Sequence, residues 1–216
     1  MTGRQKRAAE LHGRVPHDWY ARSIKENILQ NFWHKRRFEV VSNMITPASS
    51  VLDIGCNDGT FTMIIAKKTR ASRVCAVDVL PKSIAYAKKR FATSKKFFFK
   101  VADAHKLPYR DKSFDAIFCL ETLEHVEEPQ EVISEMYRLV EDNGYVVVLV
   151  PTENFLFKYI VWPLWSLTPW QVWKGTHLHD YSADEIVVKL QKGGFEIREN
   201  KKFLLGMLQG VKAVRK

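Results

Sequence analysis

Three residues able to hold a metal ion or move a proton lie within one short stretch, Phe118-Cys-Leu-Glu-Thr-Leu-Glu-His125: Glu121, Glu124 and His125. Glu121 and Glu124 stand one helical turn apart and can face the same way. Carboxylates joined by one or two imidazoles suit Mg²⁺, Mn²⁺ or Zn²⁺. Without a metal, the same imidazole suits a general base. Downstream, Lys174-Gly-Thr-His-Leu-His-Asp-Tyr181 adds His177 and His179. A second group lies upstream, in Val51-Leu-Asp-Ile-Gly-Cys-Asn-Asp-Gly-Thr60. There an apolar run carrying Asp53 meets a glycine turn that opens a helix. Such a turn lets the backbone approach a nucleotide-like ligand with no side chain between.

These residues need a scaffold, and the chain supplies one. Five strand-like runs, Ser50–Ile54, Arg73–Val79, Phe97–Val101, Phe114–Leu120 and Tyr145–Val150, alternate with helix-like runs. The strands are continuous apolar runs, as expected when both faces of a parallel sheet are covered. In the helix after Pro129, Val132, Ile133, Met136, Leu139 and Val140 fall at helical spacing. Pro81 suits the first turn of a helix holding Ile84, Ala87 and Phe91. The alternation predicts an α/β doubly wound fold with a mostly parallel sheet. Ser182-Ala-Asp-Glu185 reads as a capping box opening a helix that Gly193-Gly194 closes. Runs at Phe195–Glu199 and about Leu205–Val214 have no helix between them, which predicts antiparallel pairing through a turn near Lys201. The division expected is a helical cap over residues 1–45 and a main domain over 46–216. An aromatic insert at 152–181 holds Trp162, Trp165, Trp170 and Trp173.

The glycine turn narrows the ligand. A redox dinucleotide fingerprint, GxGxxG, fails here, because Asn57 and Thr60 follow Gly55 at the two later positions. What remains is acid-x-Gly-x-x-x-Gly: Asp53, Gly55 and Gly59. This resembles the first motif of class I S-adenosylmethionine-dependent methyltransferases. That family often has a third glycine where Asn57 stands, and asparagine tolerates a left-handed backbone well. The resemblance covers about residues 50–150 and implies the seven-stranded Rossmann-like fold of that family, with an antiparallel last strand. It implies that Asp78, ending the second strand, accepts from the ribose diol, and that Asp103 meets the adenine amino group. Cys56, Val79, Ala104 and Leu120 then line the cofactor, and Trp33 and Arg37 of the cap close over it with Tyr20. Glu121 sits where the methyl-bearing sulfur faces the acceptor. Carboxylates around a sulfonium cation are electrostatically sensible.

The acceptor is read by elimination and by resemblance. After the fourth strand there is no Asn/Asp-Pro-Pro-aromatic stretch for amino groups and no Pro-Cys nucleophile for cytosine carbon. An oxygen acceptor is the expectation. The pairing of Glu-x-x-Glu-His with a later Lys-Gly-Thr-His stretch is similar to the ubiquinone-biosynthesis O-methyltransferases. It implies an apolar or lipid-linked acceptor and membrane contact through about 155–173. Small-RNA terminal 2′-O-methyltransferases also use Glu-x-x-Glu-His and a distant histidine as metal ligands. Leu-Glu-His-Val without a metal is common across small-molecule methyltransferases, so both roles of His125 stay open. The aromatic insert has three readings: a lid over the acceptor, a membrane-surface anchor, or a dimer contact.

Bulk properties bound the rest. The 216 residues carry a formal charge of +10, which suits anionic partners. The basic residues are dispersed along the chain and no RNA-binding module is visible, which weighs against nucleic acid. Cys56, Cys75 and Cys119 form no CxxC pair and read as buried fillers in a reducing compartment. A charged start without an apolar run, and no span of membrane length, predict a cytoplasmic enzyme with possible membrane association. The rivals are an RNA methyltransferase and a non-catalytic cofactor-binding member.

Overall fold

A computed structural model describes residues 3, 7, 10–13, 15–26, 28–152, 176–182 and 184–215. Most of the tryptophan insert, including the proposed membrane contact at 155–173, lies outside the described residues. Seven strands form one sheet: β1 (Ser50–Ile54), β2 (Arg73–Asp78), β3 (Phe97–Val101), β4 (Phe114–Leu120), β5 (Val140–Pro151), β6 (Phe195–Phe203) and β7 (Leu208–Arg215). Their order is β3-β2-β1-β4-β5-β7-β6. The first five run parallel, and β7 pairs antiparallel with both β5 and β6. This is the doubly wound sheet the sequence predicts.

Ahead of the sheet run α1 (Trp19–Glu26) and α2 (Ile28–Met44). Then come α3 (Thr60–Thr69), α4 (Pro81–Arg90), α5 (Pro129–Leu139) and α6 (Glu185–Lys192). Pro81 and Pro129 each open their helix, where a missing N–H costs nothing. Among the described residues no helix is long and apolar enough to cross a membrane.

The apolar runs of the inner strands are buried because the sheet there is covered on both faces. One layer packs Leu52, Ile54, Ile117, Val146 and Val148 against Val132, Ile133 and Met136 of α5. The other packs Val51, Val74, Phe118 and Val147 against Val41 and Met44 of α2 and Ile65 of α3. Each such fully buried side chain contributes about 1.5–3 kcal/mol. The three cysteines are buried and free, as small apolar fillers.

Three boundaries differ from expectation. β5 begins at Val140, where the helix was expected to include that residue, and runs through polar Glu141-Asp142-Asn143 before its apolar stretch. β6 continues to Phe203, so the hairpin turn lies at Leu204–Met207 and not near Lys201. The capping box is half formed. The Ser182 N–H donates to Glu185 Oε2 at 3.3 Å, while Asp184 occupies the cap position with φ 72°.

Candidate active site

The site is built at the carboxyl ends of the parallel strands. After β1 the chain turns through Gly55 (φ +79°) and Asn57 (φ +44°). The left-handed backbone therefore falls on the asparagine, as its tolerance allows. Gly55 is also required sterically, because a Cβ there would lie 2.0 Å from Thr122 Oγ1. The Asn57 N–H donates to Asp78 Oδ2 at 2.9 Å and the Leu80 N–H to Asp78 Oδ1 at 2.8 Å. Asp78 thus clamps the turn to the end of β2. Burial pushes its carboxyl above the usual range. Asp103 Oδ1 accepts the His105 N–H at 3.0 Å and meets the His105 ring at 2.5 Å.

These groups open onto a cavity of about 300 Å³. Gly55, Asn57, Asp78, Val79, Asp103 and Ala104 line one wall, and Glu121 and His125 line another. Tyr20 of the cap lines the cavity too, whereas Asp53, Cys56, Gly59, Leu120, Trp33 and Arg37, also expected at the cofactor, are placed elsewhere. Asp53 lies beneath the turn, 2% exposed, and accepts from Thr62 Oγ1 at 2.5 Å, so it anchors α3. Burial pushes its carboxyl up to about 7, with Asp78 adding to the rise and Thr62 opposing it. Cys56 packs with Ala76, Ile84, Ala87 and Phe99. Gly59 (φ +77°) caps α3 with Phe91 and Phe99 against it. Leu120 belongs to the core layer under α2, and Trp33 packs on that same layer.

Arg37 stands behind the cavity wall rather than in it. Its guanidinium is ion-paired with Glu121, and lies 5.6 and 5.0 Å from the rings of Tyr20 and Phe61. Glu121 has φ +50°, which turns its carboxylate from the strand toward the cap. The cap reaches the turn as well. The Ala21 N–H donates to Asp58 Oδ2 at 2.8 Å, and Asp58 Oδ1 accepts from Thr60 N–H at 2.9 Å. Sequence reasoning missed Asp58, although an acid directly before Gly59 is a visible signal. It also missed His12, which carries no signal beyond its residue type.

The histidines sort into two groups. His125 Nδ1 lies 2.8 Å from the carbonyl oxygen of Thr176, which accepts only if Nδ1 carries the proton. Nε2 is then the basic nitrogen. Burial, followed by His12 and His177, lowers the His125 pKa to about 3, so the ring is neutral. His12 and His177 contact it edge-on, with centroids 4.7 and 5.1 Å away. Potential ligand atoms of Glu124, His125 and His177 lie within 4.8 Å of one another. Glu124 is 1% exposed, and its Oε2 has no hydrogen-bond partner. Burial pushes this carboxyl well up, and Glu121 adds to the rise. His179 is not brought to the group, because its Nε2 faces the carbonyls of Val126 and Glu127 at 2.9 and 3.2 Å. Glu121 is not part of it either, being committed to Arg37.

A methyltransferase-domain model matches residues 52–148, the span that carries the glycine turn, Asp78, Asp103 and Glu121–His125. Residues 52–148 thus match a methyltransferase domain, and the chain is similar to S-adenosylmethionine-dependent methyltransferases. The ubiquinone biosynthesis O-methyltransferase of Rickettsia canadensis is 26% identical over 221 residues, covering 96% of this chain and 90% of the relative. The ubiquinone/menaquinone biosynthesis C-methyltransferase UbiE of Desulfotalea psychrophila is 26% identical over 188 residues, covering 80% and 76%. Solved structures share the fold. The N-methyltransferase NodS of Bradyrhizobium japonicum, bound to S-adenosyl-L-homocysteine, superposes with TM-score 0.69 at 17% identity, over 98% of each chain. A methyltransferase complexed with the Haloferax volcanii activator Trm112 gives 0.73 at 15%, over 92% and 96%.

Proposed function

We propose that this methyltransferase acts on a hydroxyl oxygen of an apolar or lipid-linked molecule, with His125 as the base. The observation that carries the reading is the fixed tautomer of His125. Thr176 holds the Nδ1 proton, which leaves Nε2 as the basic nitrogen, 4.0 Å from Glu124 Oε1 in a ring that lines the cavity. The residues present suit the adenosyl donor. Asn57 Oδ1 is buried at the cavity without a partner, Gly55 leaves the backbone bare, and Asp78 places a carboxylate beside the turn. When bound there, S-adenosylmethionine would supply a methyl group activated by its sulfonium charge. Burial makes the His125 ring a weak base, so it would accept a hydrogen bond from the hydroxyl and take the proton only as the acceptor oxygen bonds the methyl carbon and gains acidity. Alignment of oxygen, carbon and sulfur by the surrounding walls supplies most of the acceleration.

Support for an oxygen acceptor comes from the relatives named O-methyltransferases, which align along nearly the whole chain. The test is turnover of labelled S-adenosylmethionine with catechol- and phenol-headed lipids, scored beside carbon and amine acceptors. Methyl transfer to carbon or nitrogen alone overturns the reading.

A second reading has its own observation, the buried Glu124 Oε2 without a partner beside His125 and His177. These three residues would hold a divalent ion, Zn²⁺ or Mn²⁺ by their nitrogen and oxygen donors. Such an ion would supply Lewis-acid polarisation of the acceptor oxygen. Metal content after dialysis against chelator, and melting with and without Zn²⁺, separate it from the metal-free reading.

A further inference from the structure

We propose that the α4–β3 edge of the sheet is a docking surface for single-stranded nucleic acid. Between Asp78 and Asp103 the chain contains seven lysines and arginines and no acidic residue. In sequence these cations are interleaved with phenylalanines; in the fold Lys88 and Lys100 line one groove at this edge and Lys96 lies over the ring of Phe97. β3 is the terminal strand and pairs only with β2. From 102 to 113 the chain crosses to β4 through bends, turns and an isolated bridge, without a helix. Among the described residues, this connection supplies no helix to cover the face of β3 that carries Phe98 and Lys100. Phe98 is 52% exposed there.

Beside that ring runs a groove of about 540 Å³ lined by Arg73, Lys88, Lys100, Phe97, Phe98 and Tyr109, with no carboxylate in its wall. Lys96 lies 5.3 Å over the ring of Phe97. Of the seven cations, Arg90 is spent internally, on the carbonyl of Asp58 and the hydroxyl of Thr60. The groove shares no lining residue with the cofactor cavity. The proposal therefore stands whichever acceptor the enzyme methylates.

The combination selects the partner. Cations beside an exposed aromatic face meet both needs of an unpaired strand, phosphate neutralisation and base stacking. A second copy of this chain, itself at +10, would be repelled. A bilayer surface suits a flat or convex apolar patch better than a groove. RNA and DNA single strands share the chemistry, so the test uses both.

The experiment is fluorescence anisotropy of the full chain with labelled oligouridylate and oligothymidylate of about 12 nucleotides, a length within known site sizes. Salt is raised from about 50 to 200 mM. Binding should weaken steeply with salt. Phe98→Ala should weaken it about tenfold and Phe98→Tyr should restore it. Lys88→Glu/Lys100→Glu should weaken it more than Lys189→Glu/Lys192→Glu, a control on α6 with the same change in net charge. The tighter oligonucleotide identifies the natural class. Equal losses in the two charge variants, no effect of Phe98→Ala, or binding to phosphatidylserine vesicles without binding to either oligonucleotide overturns the proposal.

Discussion

The guanidinium of Arg37, in the middle of α2, is ion-paired with the carboxylate of Glu121 at the end of β4. The two side chains are 5% and 15% exposed. This pair fastens the helical cap to the catalytic wall. Burial nevertheless leaves the Glu121 carboxyl above its usual range, with Arg37 opposing the rise. Removing one partner strands a buried charge, whereas removing both does not. Arg37→Leu should therefore cost about 3–5 kcal/mol of stability in urea titrations, and Arg37→Leu/Glu121→Leu should recover most of it. Additive losses would show that the two residues do not depend on each other.

Asp78 predicts a loss of binding larger than one contact. Its two oxygens hold the N–H groups of Asn57 and Leu80, so the carboxylate both shapes the turn and faces the cavity. Charged hydrogen bonds contribute about 1.5–3 kcal/mol each. Asp78→Ala should raise the Kd for S-adenosylmethionine about 100-fold or more by isothermal titration, which is about 2.7 kcal/mol.

Gly55→Ala should destabilise by about 2 kcal/mol or more. The positive φ penalises any Cβ, and this one strikes Thr122. Adding Thr122→Ala should return only the steric part. Full recovery in thermal unfolding would mean that the backbone angle costs nothing.

Asp53 predicts a pH dependence of stability. Its folded pKa, about 7, lies above that of a free carboxyl near 4, so the native state binds the proton more tightly. The associated stability is complete below about pH 4 and is lost as pH rises to about 7, at up to about 1.4 kcal/mol per pH unit. Asp53→Asn should flatten this slope in urea titrations taken across that range.

The histidines give a prediction that separates the two readings of the site. His125→Ala should leave cofactor affinity intact and lower kcat about 10²- to 10⁴-fold. Because the ring is held neutral down to about pH 3, kcat should show no inflection near 6.5 from His125. If a metal is held, His177→Ala should lower zinc content, while His179→Ala should not. Loss of metal in both would contradict the placement of His179 against the carbonyls of Val126 and Glu127.

Much of the sheet was legible because its inner strands are apolar on both faces and its edge strand β3 is a compact run of phenylalanines. Ser50–Ile54, Phe97–Val101 and Phe114–Leu120 have the same limits in sequence and structure. The β6–β7 turn was misplaced because Lys201-Lys202 looks like a loop, while apolar Leu204 and Leu205 occupy the left-handed turn. The glycine turn, Asp78 and Asp103 were legible because their spacing is local to strand ends. The choice between His177 and His179 was not, since it depends on which backbone carbonyls the chain from 176 to 181 meets. The Arg37–Glu121 pair spans 84 positions, and no local pattern announces it.

The carbonyl of Thr176 that fixes the His125 proton sits one residue beyond a long span of chain. At the other root of that span, Thr152 is tied by hydrogen bonds to Met207 and Gly206 in the β6–β7 turn. The chain on either side of residues 153–175 is therefore anchored, at Thr152 to the β6–β7 turn and at Thr176 to the ring of His125.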